Sequence, residues 1–250
     1  MKRRFLILAL LINTLSLFAN DVKVIIDKKY IIGGFIYNWA NSPSSVPSGE
    51  NQKEIQEVME TFKDNNWWPS YSQTLSSSYK YLNQSPYYSE QQRIILNKGL
   101  KKLSKLVDFS TLVDEYIDGC TEEKTQFVVD TLKDFSEKVH YDKDIVVVLT
   151  PCFNSHYSSY MDSLFLTLTP SNKEYTYHHE LSHKILIEAK LHIWGIEGEV
   201  MAEAFRRTID GYDIPFRTTH NITDEGLNKY KDYFADWAKS GMSLLEYTKQ

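Results

Sequence analysis

The chain of 250 residues is long enough for one large domain or two small ones, and for a substantial buried core. Apolar residues make up 42% of the chain and charged residues 24%, which is ordinary for a soluble globular protein. The formal net charge of −5 argues against nucleic acid as a partner, because binding to a phosphate backbone favours basic proteins.

The first 19 residues have the pattern of a secretory signal peptide. Three basic residues at positions 2–4 precede an apolar run over residues 5–12, and residues 17–19 offer a cleavage site before Asn20. The run is short for a membrane span, and no later stretch is long enough for one. We therefore expect a secreted or periplasmic protein with no stable membrane insertion after cleavage. The alternative is an anchor that remains attached.

Residues 20–140 are predicted to form a mostly helical N-terminal region. Residues 21–37 are the exception, because this stretch resembles a β-hairpin or a pair of strands. Apolar residues recur at helical spacing over residues 52–65 and again over residues 90–108. The pattern leaves open whether this region is a prosegment, a recognition subdomain or a scaffold. It also leaves open whether Cys120 pairs with Cys152.

Residues 141–250 have a different pattern, in which strands come before helices. Residues 144–151 form a β-branched run and residues 163–170 alternate apolar side chains with threonine, so both are predicted strands. Ser171 and Glu174 have the spacing of a capping box, which predicts that the next helix begins at Ser171. A further helix is predicted over residues 197–210. Helices followed by a small sheet and more helices indicate the α+β fold class.

The predicted helix after Ser171 contains the pattern H-E-x-x-H, in residues 179–183. Residues four apart on a helix lie about 40° apart around its axis, so the imidazoles of His179 and His183 can reach one tetrahedral ion. Glu180 lies about 100° from His179, which suits a general base beside a metal-activated water better than a ligand. His178 points away from the pair and is predicted not to be a ligand. The alternative is an exposed helix that is merely rich in histidine.

Two histidines leave such a site incomplete, and a glutamate from the next helix is the expected third ligand. A third histidine six residues after His183 is excluded, because Ala189 occupies that position. Glu203 is the favoured glutamate, since it lies in a good predicted helix at a distance that lets a loop return the chain to the histidines. Glu199, one turn earlier on the same face, is the second choice and Glu197 the third.

The motif HELSH followed by a glutamate on the next helix resembles the gluzincin metallopeptidases, the thermolysin-like group. The stretch AEAFRRT is also similar to part of a secreted bacterial family of gluzincin-like proteins whose function is unknown. This resemblance covers mainly residues 144–213 and implies a zincin-like catalytic region that binds zinc. The implied ligands are His179, His183 and Glu203, the last at the spacing of the family, and the implied base is Glu180.

The resemblance has one further implication, and the sequence departs from the family at one position. It implies that the strand over residues 163–168 is the sheet edge along which an extended peptide pairs. The departure is Arg207, which stands where thermolysin-like enzymes carry an aspartate that supports a zinc-binding histidine. Asp210 is the substitute that the sequence offers for that aspartate.

The sequence therefore predicts a secreted zinc metallopeptidase acting on peptides or proteins, in which Glu180 takes a proton from the attacking water. One alternative is a secreted binding or adhesion protein that holds a structural metal or none. Another is a zinc hydrolase that acts on a non-peptide amide. The donor that stabilises the oxyanion is not identified by the pattern, and the candidates are Tyr212, His220, Arg206 and His156.

Overall fold

The computed structural model describes residues 21–64, 89–151, 155–159, 161–168, 174–213 and 222–250. The strands are β1 (Val22–Ile25), β2 (Ile145–Leu149), β3 (His156–Ser158) and β4 (Ser163–Leu166). The helices are α1 (Lys28–Asn41), α2 (Gln52–Asp64), α3 (Glu90–Leu106), α4 (Phe109–Gly119), α5 (Glu122–Lys138), α6 (Glu174–Glu188), α7 (Ile196–Asp210), α8 (Asp224–Ser240) and α9 (Leu244–Tyr247). A mostly helical chain with one small mixed sheet agrees with the predicted α+β class.

The sheet has the strand order β1-β2-β4-β3. β1 pairs parallel to β2 and β2 pairs parallel to β4, whereas β3 pairs antiparallel to β4. The prediction that residues 163–168 form the edge of the sheet is therefore wrong. The reason is the short connection after Ser158, which folds β3 back onto β4 with Ser158 opposite Ser163 and so covers that edge.

The predicted hairpin over residues 21–37 is also wrong, because β1 is followed by a helix. The partner of β1 is β2, more than a hundred residues away, with Val22 opposite Ile145. Asp27 ends the extended segment and caps α1, its carboxylate accepting a hydrogen bond of 2.9 Å from the N–H of Lys29. Tertiary pairing and this cap together override a strand-like local pattern.

Two large hydrophobic clusters hold the described residues together. One packs the sheet against α5, α6, α7 and α8, with Phe135, Leu181, Ile185, Phe205 and Trp237 among its buried members. The other is built from α1 to α4. A small third cluster joins α1 to the sheet through Tyr30, Tyr37, Val148 and Phe165. Because α5 packs on α6, a helix from the predicted N-terminal region supports the helix that carries the histidines. The domain boundary at residue 140 stays a prediction.

The helices predicted over residues 52–65, 90–108 and 197–210 are confirmed as α2, α3 and α7. Several other predictions fall outside the described residues, among them the signal peptide, the capping residue Ser171, and Cys152 with its pairing. Helix α6 is described from Glu174 onward. Within the described ranges, no helix combines the length and the apolar character that a membrane crossing requires.

Candidate metal centre

Helix α6 buries the whole H-E-x-x-H motif. Leu181 and Ile185 on one face of the helix pack into the larger hydrophobic cluster. His179, Glu180 and His183 are also buried, although they are polar. Buried groups of this kind need partners, since an unpaired polar group in a core is costly. Their partners come from α7 and from β3.

The two histidines of the motif converge on Glu199 at the start of α7. The Nε2 atoms of His179 and His183 are 3.2 Å apart. The Oε2 atom of Glu199 lies 3.1 Å from Nε2 of His179 and 3.4 Å from Nε2 of His183. Among the residues that the structure describes, these three form the group whose ligand atoms lie close enough together for one ion.

The spacing of these three atoms fits tetrahedral coordination. Zinc binds histidine nitrogen and carboxylate oxygen at about 2.0–2.1 Å, which places neighbouring tetrahedral ligands about 3.3–3.4 Å apart. The observed separations of 3.1, 3.2 and 3.4 Å are close to that edge length. Two imidazoles and one carboxylate are also a ligand set that zinc accepts. The residues present therefore fit a zinc ion without rearrangement of the helices.

Glu203, the favoured third ligand in the sequence, occupies a different place. Its Oε2 lies 3.2 Å from Nδ1 of His179, the ring nitrogen that faces away from Glu199. Its Oε1 accepts hydrogen bonds from Nη2 of Arg206 at 2.7 Å and from Nε of Arg207 at 2.6 Å. The imidazole of His179 thus lies between two glutamates one helical turn apart. The structure groups Glu199, and not Glu203, with the Nε2 atoms of the histidines.

The contact with Glu203 selects the tautomer of His179. A carboxylate only accepts hydrogen bonds, so Nδ1 of His179 carries a proton and donates it to Glu203. Once a metal displaces the proton on Nε2, that nitrogen is free to be a ligand. Glu203 is therefore placed to orient His179, one of the candidate ligands.

Behind Glu203, a buried network extends to His178. Nη1 of Arg206 donates to Oδ2 of Asp210 at 3.0 Å, and Nδ1 of His178 lies 2.9 Å from the same oxygen. The ring of His178 also stacks on Phe135, with 4.4 Å between the ring centroids. His178 is outside the ligand group, in line with its prediction. Asp210 supports His178 and not a histidine of the motif, so its predicted role is wrong.

Glu180 is held by the edge strand of the sheet. Its Oε2 accepts a hydrogen bond of 3.0 Å from the backbone N–H of Tyr157 in β3. Burial raises the pKa of Glu180 to about 8, and the nearby charge of Glu199 acts in the same direction. A carboxyl group with a pKa near neutrality is suited to both take and give a proton. A backbone donor leaves no signal in the sequence, so the role of Tyr157 was not predictable.

The pKa values of the two histidines are shifted in opposite directions. Burial lowers the pKa of His183 to about 4. Burial acts on His179 as well, but hydrogen bonds to Glu199 and Glu203 outweigh it and raise the pKa of His179 to about 9. Burial would likewise raise the pKa of Glu199, yet its hydrogen bonds with both histidines hold that pKa well below its usual range. A metal bound at Nε2 of His179 would therefore displace one proton from that ring at neutral pH.

β3 is fixed to α6 by a second set of contacts. The hydroxyl of Tyr157 donates to Oδ1 of Asp162 at 2.8 Å, and the buried Lys184 donates to the same oxygen. Lys184 also pairs with Glu188 at 3.0 Å, one turn further along α6. These contacts hold the strand that carries the Tyr157 N–H against the helix that carries Glu180.

The contacts of the residues proposed as oxyanion donors give little support to that role. The guanidinium of Arg206 is occupied by Glu203 and Asp210. The ring of His156 stacks on Phe165, with 5.0 Å between the ring centroids. The main chain of Tyr212 accepts from Arg207 at the far end of α7. His220 lies outside the described residues.

Comparison of the chain with protein-family models, curated proteins and solved structures finds no match. The gluzincin assignment therefore stays a prediction that depends on the motif and its surroundings. What the structure adds is the grouping of His179, His183 and Glu199, which could hold a metal ion.

Proposed function

We propose that the chain is a secreted zinc-dependent peptidase of the gluzincin type. In this proposal His179, His183 and Glu199 are the metal ligands and Glu180 is the general base. The observation that supports this proposal most strongly is the geometry of the site. Three ligand atoms lie 3.1–3.4 Å from one another beside a buried carboxyl group whose pKa is raised to about 8.

The number of ligands favours catalysis over a structural role. Structural zinc sites are closed by four protein ligands, whereas catalytic sites use three and keep one position open. The described residues supply three, two histidines and one glutamate. This supports a hydrolase over the alternative of a binding protein with a structural metal.

In the proposed reaction, the zinc ion and the residues of the chain have different roles. When bound, the ion supplies Lewis acidity, which lowers the pKa of a water molecule and polarises a carbonyl group. Glu180 accepts the proton of the attacking water and returns it to the leaving amine. The N–H of Tyr157 holds one carboxylate oxygen of Glu180 and so fixes the orientation of the base. Glu203 fixes the orientation of His179.

Glu199 as the third ligand, in place of Glu203, also changes which residue is compared with the supporting aspartate of thermolysin-like enzymes. That residue is then no longer Arg207. With Glu199 as the ligand, the position four residues further along α7 is Glu203. Glu203 contacts Nδ1 of His179, which is the supporting role that the aspartate has in the thermolysin-like enzymes. The pattern E-x-x-x-E over residues 199–203 thus supplies the supporting carboxylate that the assignment based on Glu203 lacked, whereas the spacing of the family, twenty residues after His183, is that of Glu203 and not of Glu199.

The proposal is tested with the mature protein and its Glu180→Gln variant. We expect about one zinc ion per chain in both, because Glu180 is not a ligand. Hydrolysis of a diverse peptide library should fall at least about a hundredfold in the variant, which lacks the base. Absence of both zinc and peptide cleavage in the wild type would favour the non-catalytic alternative. Zinc without peptide cleavage would favour a non-peptide amide as substrate.

A further inference from the structure

A cavity of about 330 Å³ lies between helices α1 to α4, in the hydrophobic cluster that these four helices form. Its described lining residues lie between positions 39 and 115, in the region whose role the sequence leaves open. None of the proposed metal ligands is among them. Pockets that bind small molecules have volumes of about 300–1,000 Å³. The cavity is therefore a candidate binding site separate from the metal centre.

One part of the cavity lining is apolar. Trp39 on α1 and Ile55 on α2 are buried, and Leu112 on α4 is half-buried. Leu106 and Val107, at the end of α3, continue this surface. Such a lining suits the hydrocarbon part of a ligand, because water leaves the apolar surfaces of both.

Side-chain hydrogen bonds hold the chain segments that surround the cavity. Nδ2 of Asn51 donates to the carbonyl oxygen of Leu106 at 3.1 Å, which links the start of α2 to the end of α3. Nε2 of Gln52 donates to the carbonyl oxygen of Val46 at 3.3 Å. The cavity is therefore preformed, which lowers the free-energy cost of binding a ligand.

The charged groups that line the cavity are all acidic. They are Glu50, Asp108 and Glu115, and the described lining residues include no lysine, arginine or histidine. Ion pairs between described residues involve none of these three carboxylates. Hydrogen bonds from Thr111, with a smaller effect of the nearby charge of Lys28, hold the pKa of Asp108 below its usual range. The lining therefore favours a cation over an anion.

The hydrogen-bonding groups of the lining are mostly acceptors. The three carboxylates can only accept. The hydroxyl of Thr111 already donates to Oδ2 of Asp108 at 2.8 Å. A ligand that brings its own N–H donors therefore complements this lining, whereas one that brings only acceptors does not.

We propose that this cavity binds a small organic cation, in which an ammonium group is joined to an aliphatic or aromatic body. The ammonium group lies among the carboxylates of Glu50, Asp108 and Glu115, and the apolar body contacts Trp39 and Leu112. The size of the cavity favours a small molecule, since a protein partner needs a much larger surface. The inference goes beyond the proposed function, because no step of the proposed reaction uses these residues.

The test compares three probes that share a phenyl ring and a short linker and differ in charge. They are phenethylamine, 2-phenylethanol and 3-phenylpropionate. Binding to the mature wild-type protein is measured by ligand-observed NMR titration. We expect phenethylamine to bind with a Kd of about 1 mM or lower, at least about tenfold more tightly than the alcohol. The propionate should not bind.

A double variant, Glu50→Gln with Glu115→Gln, tests whether the probe binds in the cavity. It removes two charges and keeps Asp108, which caps α4. Affinity for phenethylamine should fall about tenfold, and affinity for the alcohol should stay unchanged. The matched control is Asp114→Asn, which removes an exposed charge next to Glu115 on α4 that does not line the cavity. It should leave both affinities unchanged.

Three outcomes would overturn the inference. They are equal affinities for the amine and the alcohol, an unchanged amine affinity in the double variant, and binding of a lysine-rich peptide where phenethylamine does not bind. The last would identify a protein partner instead of a small molecule. Zinc content and peptide cleavage do not enter these measurements, so failure of this inference and failure of the proposed function are seen separately.

Discussion

At the level of single residues, Glu199 and Glu203 have different environments although both are glutamates on one face of α7. Glu199 contacts the Nε2 atoms of both histidines. Glu203 contacts Nδ1 of His179, and two arginines surround it. Burial acts to raise the pKa of Glu203, but its hydrogen bonds to His179 and Arg206 prevail and lower that pKa to about 2. Both carboxylates are therefore charged at neutral pH.

This difference predicts the order in which substitutions weaken zinc binding. Glu199→Ala removes a proposed ligand and should abolish stoichiometric zinc in the purified protein. Glu203→Gln keeps the ligands but disturbs the partner of His179, so zinc affinity should fall about 10–100-fold. Affinity is measured by competition with a chromophoric chelator.

The matched control for these variants is Glu197→Ala, in the same first turn of α7. The Glu197 carboxylate pairs with Lys229 and Tyr230, away from the histidines. The zinc affinity of the Glu197→Ala variant should equal that of the wild type. An intact site in Glu199→Ala, together with complete zinc loss in Glu203→Gln, would restore the assignment based on spacing alone.

At the level of secondary-structure elements, the sequence predicted best where local periodicity decides the structure. The four-residue spacing of His179 and His183 on a helix is such a case, and α6 has it. The same periodicity placed Glu199 and Glu203 on one face but did not identify which of them meets the Nε2 atoms. That choice depends on the turn at Gly195 and on how α7 packs on α6, which are tertiary features.

The element that the sequence predicted wrongly, α1, packs closely on the end of β2. A Cβ added at Gly34 would lie 2.2 Å from Oγ1 of Thr150 and 3.0 Å from Cδ of Pro151. Thr150 is itself held by a hydrogen bond of 3.0 Å from its hydroxyl to the carbonyl oxygen of Tyr30. Helix and strand therefore approach so closely that only a glycine fits between them.

Gly34→Ala is accordingly expected to destabilise the fold by about 1–3 kcal/mol, because the added methyl group overpacks a buried contact. Chemical unfolding in urea gives the change in the free energy of unfolding. Gly119→Ala is the control, since its added Cβ would lie more than 4 Å from every described heavy atom other than its chain neighbours and the backbone of its own helix. Equal stability of Gly34→Ala and Gly119→Ala would contradict the helical packing of α1, as a solvent-exposed hairpin turn would tolerate the methyl group.

At the level of the whole molecule, the candidate centre depends on segments that are far apart in the chain. α6 supplies the histidines and the base, α7 supplies Glu199 and Glu203, and β3 supplies the N–H that holds Glu180. The sheet behind them requires β1, which pairs with β2 across more than a hundred residues. Such long-range pairings leave no local pattern, which is why the fold class was predictable and the strand order was not.

The most direct test of the central claim is anomalous diffraction at the zinc absorption edge from crystals of the mature wild-type protein. We expect a single strong peak about 2.0–2.1 Å from Nε2 of His179, Nε2 of His183 and a carboxylate oxygen of Glu199. Glu203 should remain on Nδ1 of His179. A zinc ion bound to Glu203, or no peak between α6 and α7 in crystals grown with zinc, would contradict it.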